Sequence, residues 1–456
     1  NTDVNYTATY SWNRGAQLER GTNLGNTITN SRTINANGKL NLEMLYNHVP
    51  FLKKTNSRFA GGRPPKAKTV IKPYEQEVQL KTDTTLNISH NLRNKRIRVQ
   101  AFKEDGTHYA LKYKIKNHNI IEVQTRDSIK VKVKITPGRK AEDTKWYNTM
   151  QYAARAAMMV RNVSISYRNS FNMSIPGFLP QIGDIFGQRS SGGLQPGLDF
   201  AFGLTDESYI QKAYDRGWLL NNDSVATPAT TNASEDLQIR MLVEPFKNFK
   251  IDLNASRTMT KAKSIQYMYA GMPTTQTGSF SMTTISISSA FESIGSADNN
   301  YSSKTFNKFV KYLDVFRNRI EARYANAPYP EQSALAGQLF NPENGTISKY
   351  SSDVMIPAFL AAYCGGGTSS SLDLFPSVLR MLPNWKMTYG GLSKLPWIKD
   401  HFKSFNINHS YQSIYQVGSY NTYTSYITNI GGMGFIENIT SGNPTPSSMF
   451  DISSIS

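Results

Sequence analysis

The stretch VSISYRNSFNMSI, residues 163–175, sorts its side chains by parity. Val163, Ile165, Tyr167, Phe171, Met173 and Ile175 take odd positions, interrupted by Asn169; Asn162, Ser164, Ser166, Arg168, Ser170, Asn172 and Ser174 take the even ones. Successive side chains of an extended strand point to opposite faces, so the segment has one oily and one wet face. It runs for about 13 residues, where strands of globular proteins cluster near about 5–6. Such a strand suits a barrel wall with lipid on one side and water on the other. On that reading Val163, Ile165, Tyr167, Phe171 and Met173 face lipid, and Asn162, Ser164, Ser166 and Arg168 face the lumen.

The pattern recurs. Val4, Tyr6, Ala8, Tyr10 and Trp12 share a parity, as do Ile34, Ala36, Gly38, Leu40, Leu42 and Met44. Leu237, Ile239, Met241 and Val243 follow, then Phe249, Ile251, Leu253, Ala255 and Met259, and finally Phe405, Ile407, Tyr411, Tyr415 and Val417. A soluble antiparallel sandwich with one buried face shows the same period. Several long strands with Tyr, Thr, Asn and Ser on the wet face favour the membrane barrel over it. The fold class predicted is all-β dominated: a segment of a very large antiparallel transmembrane β-barrel, with a soluble sandwich-like insertion and a few helices in loops.

Composition agrees. Hydrophobic residues make up 39% and aromatics 11%, and no run approaches the roughly 18 apolar residues of a membrane helix. The richest run, 355–364, is short, contains Pro357 and meets three glycines. Membrane contact therefore falls to strands, in which half the residues stay polar. The one cysteine, Cys364, excludes an internal disulfide and a cysteine metal cluster, and reads as a buried small side chain. The chain starts without a basic or apolar leader and ends without a closing strand, as expected of a piece of a longer polypeptide.

Residues 63–145 hold 20 Lys+Arg against 9 Asp+Glu, most of the chain's net charge of +18. Six short strands are predicted there, at 74–80, 86–89, 95–102, 109–115, 120–124 and 129–135, separated by turn signals such as Glu104, Asp105 and Gly106. Their spacing fits a small sandwich. Lys130, Lys132 and Lys134 alternate with Val131, Val133 and Ile135 and should form an exposed basic edge or face. Charge without a binding motif or stacking aromatics argues against nucleic acid and for a solvated face near anionic headgroups. Two helices are predicted: 142–159, rich in Ala and Met, and 303–324. In the second, Phe306, Phe309, Val310, Leu313, Phe316 and Ile320 form one stripe, which should pack on the protein itself.

Chemistry leaves no trace. His48, His90, His108, His118, His401 and His409 show no metal spacing, and there is no nucleophile elbow or phosphate loop. The chain reads as no enzyme, with no cofactor, metal or catalytic residue.

A resemblance sharpens the reading. VRNVSISY (160–167) followed by IPGFLP (175–180) resembles the SprA/Sov family, the outer-membrane translocon of the type IX secretion system in Bacteroidota. LYNHVPFLKK (45–54), GWL (217–219), VEPFKNFKIDL (243–253), GSFSM (278–282) and NYSS (300–303) resemble it in the same order. So do IPAFLAAY (356–363), PNWKMTY (383–389), GLSKLPWIK (391–399) and FNINHSY (405–411). Family members are several times longer, so the chain would be an internal or late segment. The resemblance implies a protein-conducting channel in the outer membrane of a Gram-negative bacterium, built as one wide barrel. Implied partners are cargo proteins with a C-terminal sorting domain, a PorV-like outer-membrane barrel, a plug protein and membrane lipid. The alternatives are a secreted multi-sandwich adhesin and a conventional porin or TonB-type transporter.

The expected organisation is barrel strands at 1–44, a soluble basic insertion at 45–160, strands at 161–290 with a loop at 176–235, a helical region at 291–383, and strands with a trailing segment at 384–456. Residues 198–204 are too short to span and read as part of a loop or lumen structure, which puts 45–54, 244–248 and 394–404 on one side, the periplasmic one, with the insertion. Trp12, Tyr389, Trp397 and Tyr415 should form interfacial girdles. The loop 175–180 should end its strand and expose Phe178 and Leu179, either folded on the wall or offered to a PorV-like partner or plug.

Overall fold

A computed structural model describes residues 1–16, 24–60, 72–138, 145–183, 186–190, 193–221, 227–267, 274–293 and 295–455. The chain falls into two compact units. One holds Asn1–Asn41, Asn162–Val243 and Phe249–Ser456; the other holds Leu42–Arg161 with Glu244–Asn248.

In chain order, strands β1 (Thr2–Asn13) and β2 (Asn26–Asn41) precede helices α1 (Leu42–His48) and α2 (Pro50–Ala60). Short strands follow: β3 (Tyr74–Leu80), β4 (Thr85–Ser89), β5 (Ile97–Lys103), β6 (His108–Tyr109), β7 (Lys112–Ile115), β8 (Ile120–Gln124) and β9 (Ile129–Pro137). Helix α3 (Lys145–Ala157) leads to the long β10 (Val160–Phe178), then α4 (Leu198–Ala201), α5 (Ser208–Asp215), β11 (Ala229–Val243), β12 (Phe249–Ile265) and β13 (Thr275–Thr283). Helices α6 (Ile287–Ala290), α7 (Lys304–Tyr324) and α8 (Ser352–Tyr363) come next, then β14 (Asn384–Tyr389), α9 (Pro396–His401), β15 (Ile407–Tyr411) and β16 (Ile414–Thr422). The chain continues through β17 (Tyr426–Thr428), β18 (Gly434–Glu437) and β19 (Pro444–Pro446) to β20 (Phe450–Ile455).

The first unit is strand-rich. Its ten-stranded sheet runs β1-β2-β10-β11-β12-β13-β16-β20, with β14 joined to β12 and β15 to β14. Among the described residues this sheet is open, and β1 and β20 are its ends. Antiparallel register carries parity from strand to strand: Val163 faces Leu40, Tyr167 faces Ala36, and Ala36 faces Val4. Likewise Met241 faces Leu253, and Leu253 faces Trp385. Residues 198–204 form no strand; Leu198–Ala201 is the short helix α4. β11 starts at Ala229, inside the stretch assigned to loop, because Ala229, Thr231 and Ala233 extend the parity of Leu237.

Helix α7 begins at Ser303, whose side chain accepts the Phe306 N–H at 3.0 Å. Its stripe packs on α8: Leu313, Phe316 and Ile320 share a core with Val354, Ala358 and Ala361. The run 355–364 is therefore core helix, and Phe306 and Val310 stay exposed.

In the second unit, sheets β3-β9-β5-β6 and β4-β8-β7 sandwich a core that includes Leu80, Ile88, Ala101, Ile121, Val123, Val131 and Ile135. The predicted strand at 109–115 divides, because β6 and β7 join different sheets while Leu111 packs inward between them. β9 lies between β3 and β5, so its lysines form a face and not an edge. That face is charge-matched: Lys134 and Lys132 meet Glu75 at 2.8 and 3.1 Å, and Lys130 meets Glu77 at 3.3 Å.

The same unit ties the 244–248 turn down. Arg161 donates from Nε to Glu244 at 3.1 Å and from Nη1 to Asn56 Oδ1 at 3.0 Å, while Arg155 reaches the Glu244 carbonyl at 3.2 Å. Burial, and the neighbouring Arg161 guanidinium, hold Arg155 below the usual arginine range.

Candidate functional site: an uncharged apolar band on a two-faced sheet

One face of the large sheet carries all the apolar parities described above. Met173 and Ile175 of β10 share a core cluster with Ile28 of β2 and Ala229 of β11, packed by Ile265 of β12. These residues have the parity of Val163, Leu40, Leu237 and Ile251, so the apolar stripes of the four strands lie on one side.

That face has two zones. In the first, 34–40 of β2, 163–167 of β10, 237–243 of β11 and 251–255 of β12 place no charged residue at the apolar parity. Trp385, Met387 and Tyr389 extend it onto β14. Ile165 is 45% exposed, Leu40 53% and Val4 67%. Val163, Tyr167 and Ile239 are half-buried.

In the second zone the same parity carries Asn30, Arg32, Glu235, Arg257, Lys261 and Lys263. There the chain covers itself. Buried Asn30 donates to the Phe200 carbonyl at 3.2 Å and to Thr205 Oγ1 at 3.0 Å. Arg32 donates to the Gly203 carbonyl at 3.3 Å with its guanidinium over the Phe171 ring. Arg257 donates to the Pro376 carbonyl at 3.4 Å and lies over Phe280. A buried polar group needs such partners, so these interruptions of the stripe mark where protein lies on the sheet.

This corrects part of the expected assignment. Met173 is fully buried and Phe171 packs against the same cluster, beneath Phe200, Tyr209 and Ile210 of α4 and α5. Both therefore touch protein, whereas Val163, Ile165 and Tyr167 belong to the uncharged zone. Asn162 and Ser164 are half-buried on the opposite face, and Ser166 and Arg168 are exposed there. Ser166 donates to Asn37 Oδ1 at 2.7 Å across the β2–β10 pair. Asp3, Asn37, Lys39, Ser164, Ser166 and Arg240 help line a depression of about 420 Å³ between these strands.

Phe178 is a core residue, not a free contact. It is 1% exposed, meets Trp218 edge-on and bridges to Leu219. β10 does not end at Ile175; it continues through a bulge at Pro176 and Gly177, with Gly177 at φ 75°. Tyr267 donates its hydroxyl to the Pro176 carbonyl at 2.6 Å, and Leu220 N–H to the Gly177 carbonyl at 2.7 Å. The proline and glycine that predict a strand end instead bend it under its cover. Leu179 is 39% exposed.

Of the proposed girdle, Tyr415 is 2% exposed with its hydroxyl on the Leu374 carbonyl, and Trp12 packs on the Met173 cluster. Tyr389 sits beside Phe249 at the end of β14, and Trp397 is 63% exposed. The pairing of Tyr389 with Phe249 puts the β14–β15 connection at the end of the sheet where β12 begins.

Among the described residues no helix is long and apolar enough to cross a membrane, and no cluster of metal-ligating side chains occurs. No protein-family profile matches the chain, and no curated protein matches it.

Proposed function

We propose that the large sheet is a wall segment of an outer-membrane, protein-conducting channel, with its uncharged zone against lipid and its wet face toward the lumen. The observation that carries this reading is the uncharged zone. It is about seven residues long on β2 and β11, or roughly 23 Å of strand at ~3.3 Å per residue. That approaches, and falls somewhat short of, the apolar band of about 25 Å on membrane barrels. A sandwich adhesin needs a second layer over this zone, and Val4, Leu40 and Ile165 are exposed.

The type IX translocon reading rests on the SprA/Sov-like motifs. On that reading the chain is not an enzyme, the lumen passes cargo proteins with a C-terminal sorting domain, and a PorV-like barrel and a plug protein are partners. Leu179 remains the candidate partner contact, and the insertion lies on the periplasmic side.

A photocrosslinker at Ser166 or Asn37 in secreting cells should trap cargo, while one at Ile165 should trap lipid. Cargo trapped equally from both faces rejects the wall. Release of the chain by carbonate without detergent rejects the membrane and leaves the adhesin. Protease cleavage of the insertion in intact cells reverses the topology alone.

A further inference from the structure

The first unit contains a second cavity, of about 420 Å³, remote from the uncharged zone in role and in lining. Met282 of β13, Leu360 and Ala361 of α8, and Leu382 give it an apolar wall. Its polar groups are Thr284, beside Met282 and hydrogen-bonded with Cys364, then Ser369, Ser370 and Ser371 on the loop after α8, and the exposed Arg380. No Asp or Glu is among its lining residues, the nearest carboxylate in sequence being Asp373, which accepts the Ser371 hydroxyl; among the described residues Arg380 has no ion pair with a carboxylate. The volume lies in the range of sites for small organic ligands, about 300–1,000 Å³.

The walls are held by specific contacts. Arg319 of α7 donates to the Thr368 and Ser370 carbonyls, both at 2.7 Å, fixing the serine loop. Gly365, Gly366 and Gly367 all have positive φ, which carries the chain away from the end of α8 without side chains filling the space. Tyr415 spends its hydroxyl on Leu374, so it adds ring surface and no free donor. Beside Arg380 the rim is apolar and bare: Leu379 is 95% exposed, Leu382 42% and Val378 39%.

An unpaired cation next to an oily pocket selects a ligand with both characters. The α8 carbonyl end near Cys364 repels an anion, so the charged end belongs at Arg380 and the tail against Leu360 and Met282. We propose that this cavity binds one acyl chain capped by an anionic group, supplied either as a free fatty acid or as an anionic phospholipid.

Cys364 lines the cavity and is the sequence's one cysteine, so its modification reports occupancy without an introduced label. The test keeps the chain in an uncharged detergent and follows the reaction of Cys364 with a small maleimide. Saturating oleate or phosphatidylglycerol should slow labelling about tenfold, as occupancy protects the site. Oleyl alcohol and phosphatidylcholine, which lack a net negative head, should not. Protection by oleate alone assigns a free acid, and protection by phosphatidylglycerol alone assigns a membrane lipid. Arg380→Glu, an exposed substitution, should remove the protection, measured against the variant's own unliganded rate, while tryptophan fluorescence stays at the wild-type value. Labelling that neither anionic amphiphile slows, equal protection by oleyl alcohol, or protection that survives R380E overturns the proposal.

Discussion

Arg161, at the start of β10, donates from Nε to Glu244 Oε2 at 3.1 Å, joining the first residues of one long strand to the turn between β11 and β12. The Arg161 side chain is 6% exposed and that of Glu244 26%. Arg161 also reaches Asn56 of α2, so one guanidinium gathers a helix, a strand and a turn. Removing one partner of such a pair strands the other, at a cost of about 3–5 kcal/mol when both are buried. Here Arg161 keeps Glu43 at 3.7 Å and Asn56 when Glu244 is removed, so Glu244→Ala should destabilise this unit by less, about 1–3 kcal/mol, the range for a lost charged hydrogen bond. Arg161→Met combined with Glu244→Ala should recover part of that loss, measurable in a double-mutant cycle of denaturant unfolding.

Phe178 and Leu179 are neighbours with opposite fates. Phe178→Ala should cost about 3–5 kcal/mol, as expected for emptying a core aromatic site. Leu179→Ser, at a partly exposed position, should stay within about 0.5 kcal/mol. Thermal unfolding of the two variants checks the contrast. Equal, small effects would mean that Phe178 does not anchor the bulge to Trp218 and Leu219.

Parity, read from residues such as Val163 and Ser164, is enough to place β1, β2, β10, β11 and β12, because a strand's faces are a local property. The helical period likewise places α7 at Phe309, Leu313, Phe316 and Ile320. What alternation does not reveal is what lies on the oily face. Ile165 and Met173 look equivalent in sequence, yet one is exposed and the other is covered by α4 and α5. The signal was present in the polar residues at apolar parity, Asn30, Arg32 and Arg257. Their partners are backbone carbonyls of distant loops, which no local pattern names. Pro176 and Gly177 are ambiguous for a related reason: a bulge and a strand end use the same residues.

Asp353 of α8 offers a pH test. It is buried, accepts the Ser448 N–H at 2.9 Å and the Ser447 hydroxyl at 3.3 Å, and burial raises its pKa despite those bonds. Arg323 and Tyr324 line the same small cavity, and Tyr423 and Tyr426 are close enough to feel its charge. A folded-state pKa above the unfolded value means the folded chain holds the proton more tightly. The contribution of this group is favourable at low pH and is lost as pH rises from the ordinary Asp range through the raised value. Asp353→Asn, which keeps an acceptor without the charge, should unfold at a higher temperature than wild type at pH 7. The gap should close on acidification below the usual Asp range. A gap independent of pH would show that Asp353 ionises as readily folded as unfolded.

The uncharged zone makes the sharpest claim, because adjacent residues of one strand must behave in opposite ways. Ile165 lies inside the zone and Ser166 on the wet face, hydrogen-bonded to Asn37. In lipid bilayers Ile165→Arg should cost about 2–4 kcal/mol, the penalty for arginine on the lipid face near mid-membrane. Ser166→Arg should cost little, since its side chain stays in water. Arg32→Leu separates lipid from protein as the covering layer. If lipid lay over position 32, leucine would be favoured there. With the Gly203 carbonyl and the Phe171 ring as its neighbours, losing the guanidinium should instead destabilise by about 1–3 kcal/mol. Folding titrations into lipid vesicles measure all three. Equal costs for Ile165→Arg and Ser166→Arg would remove the two-faced wall, and a stabilising Arg32→Leu would extend the lipid zone past the boundary drawn at Ile34.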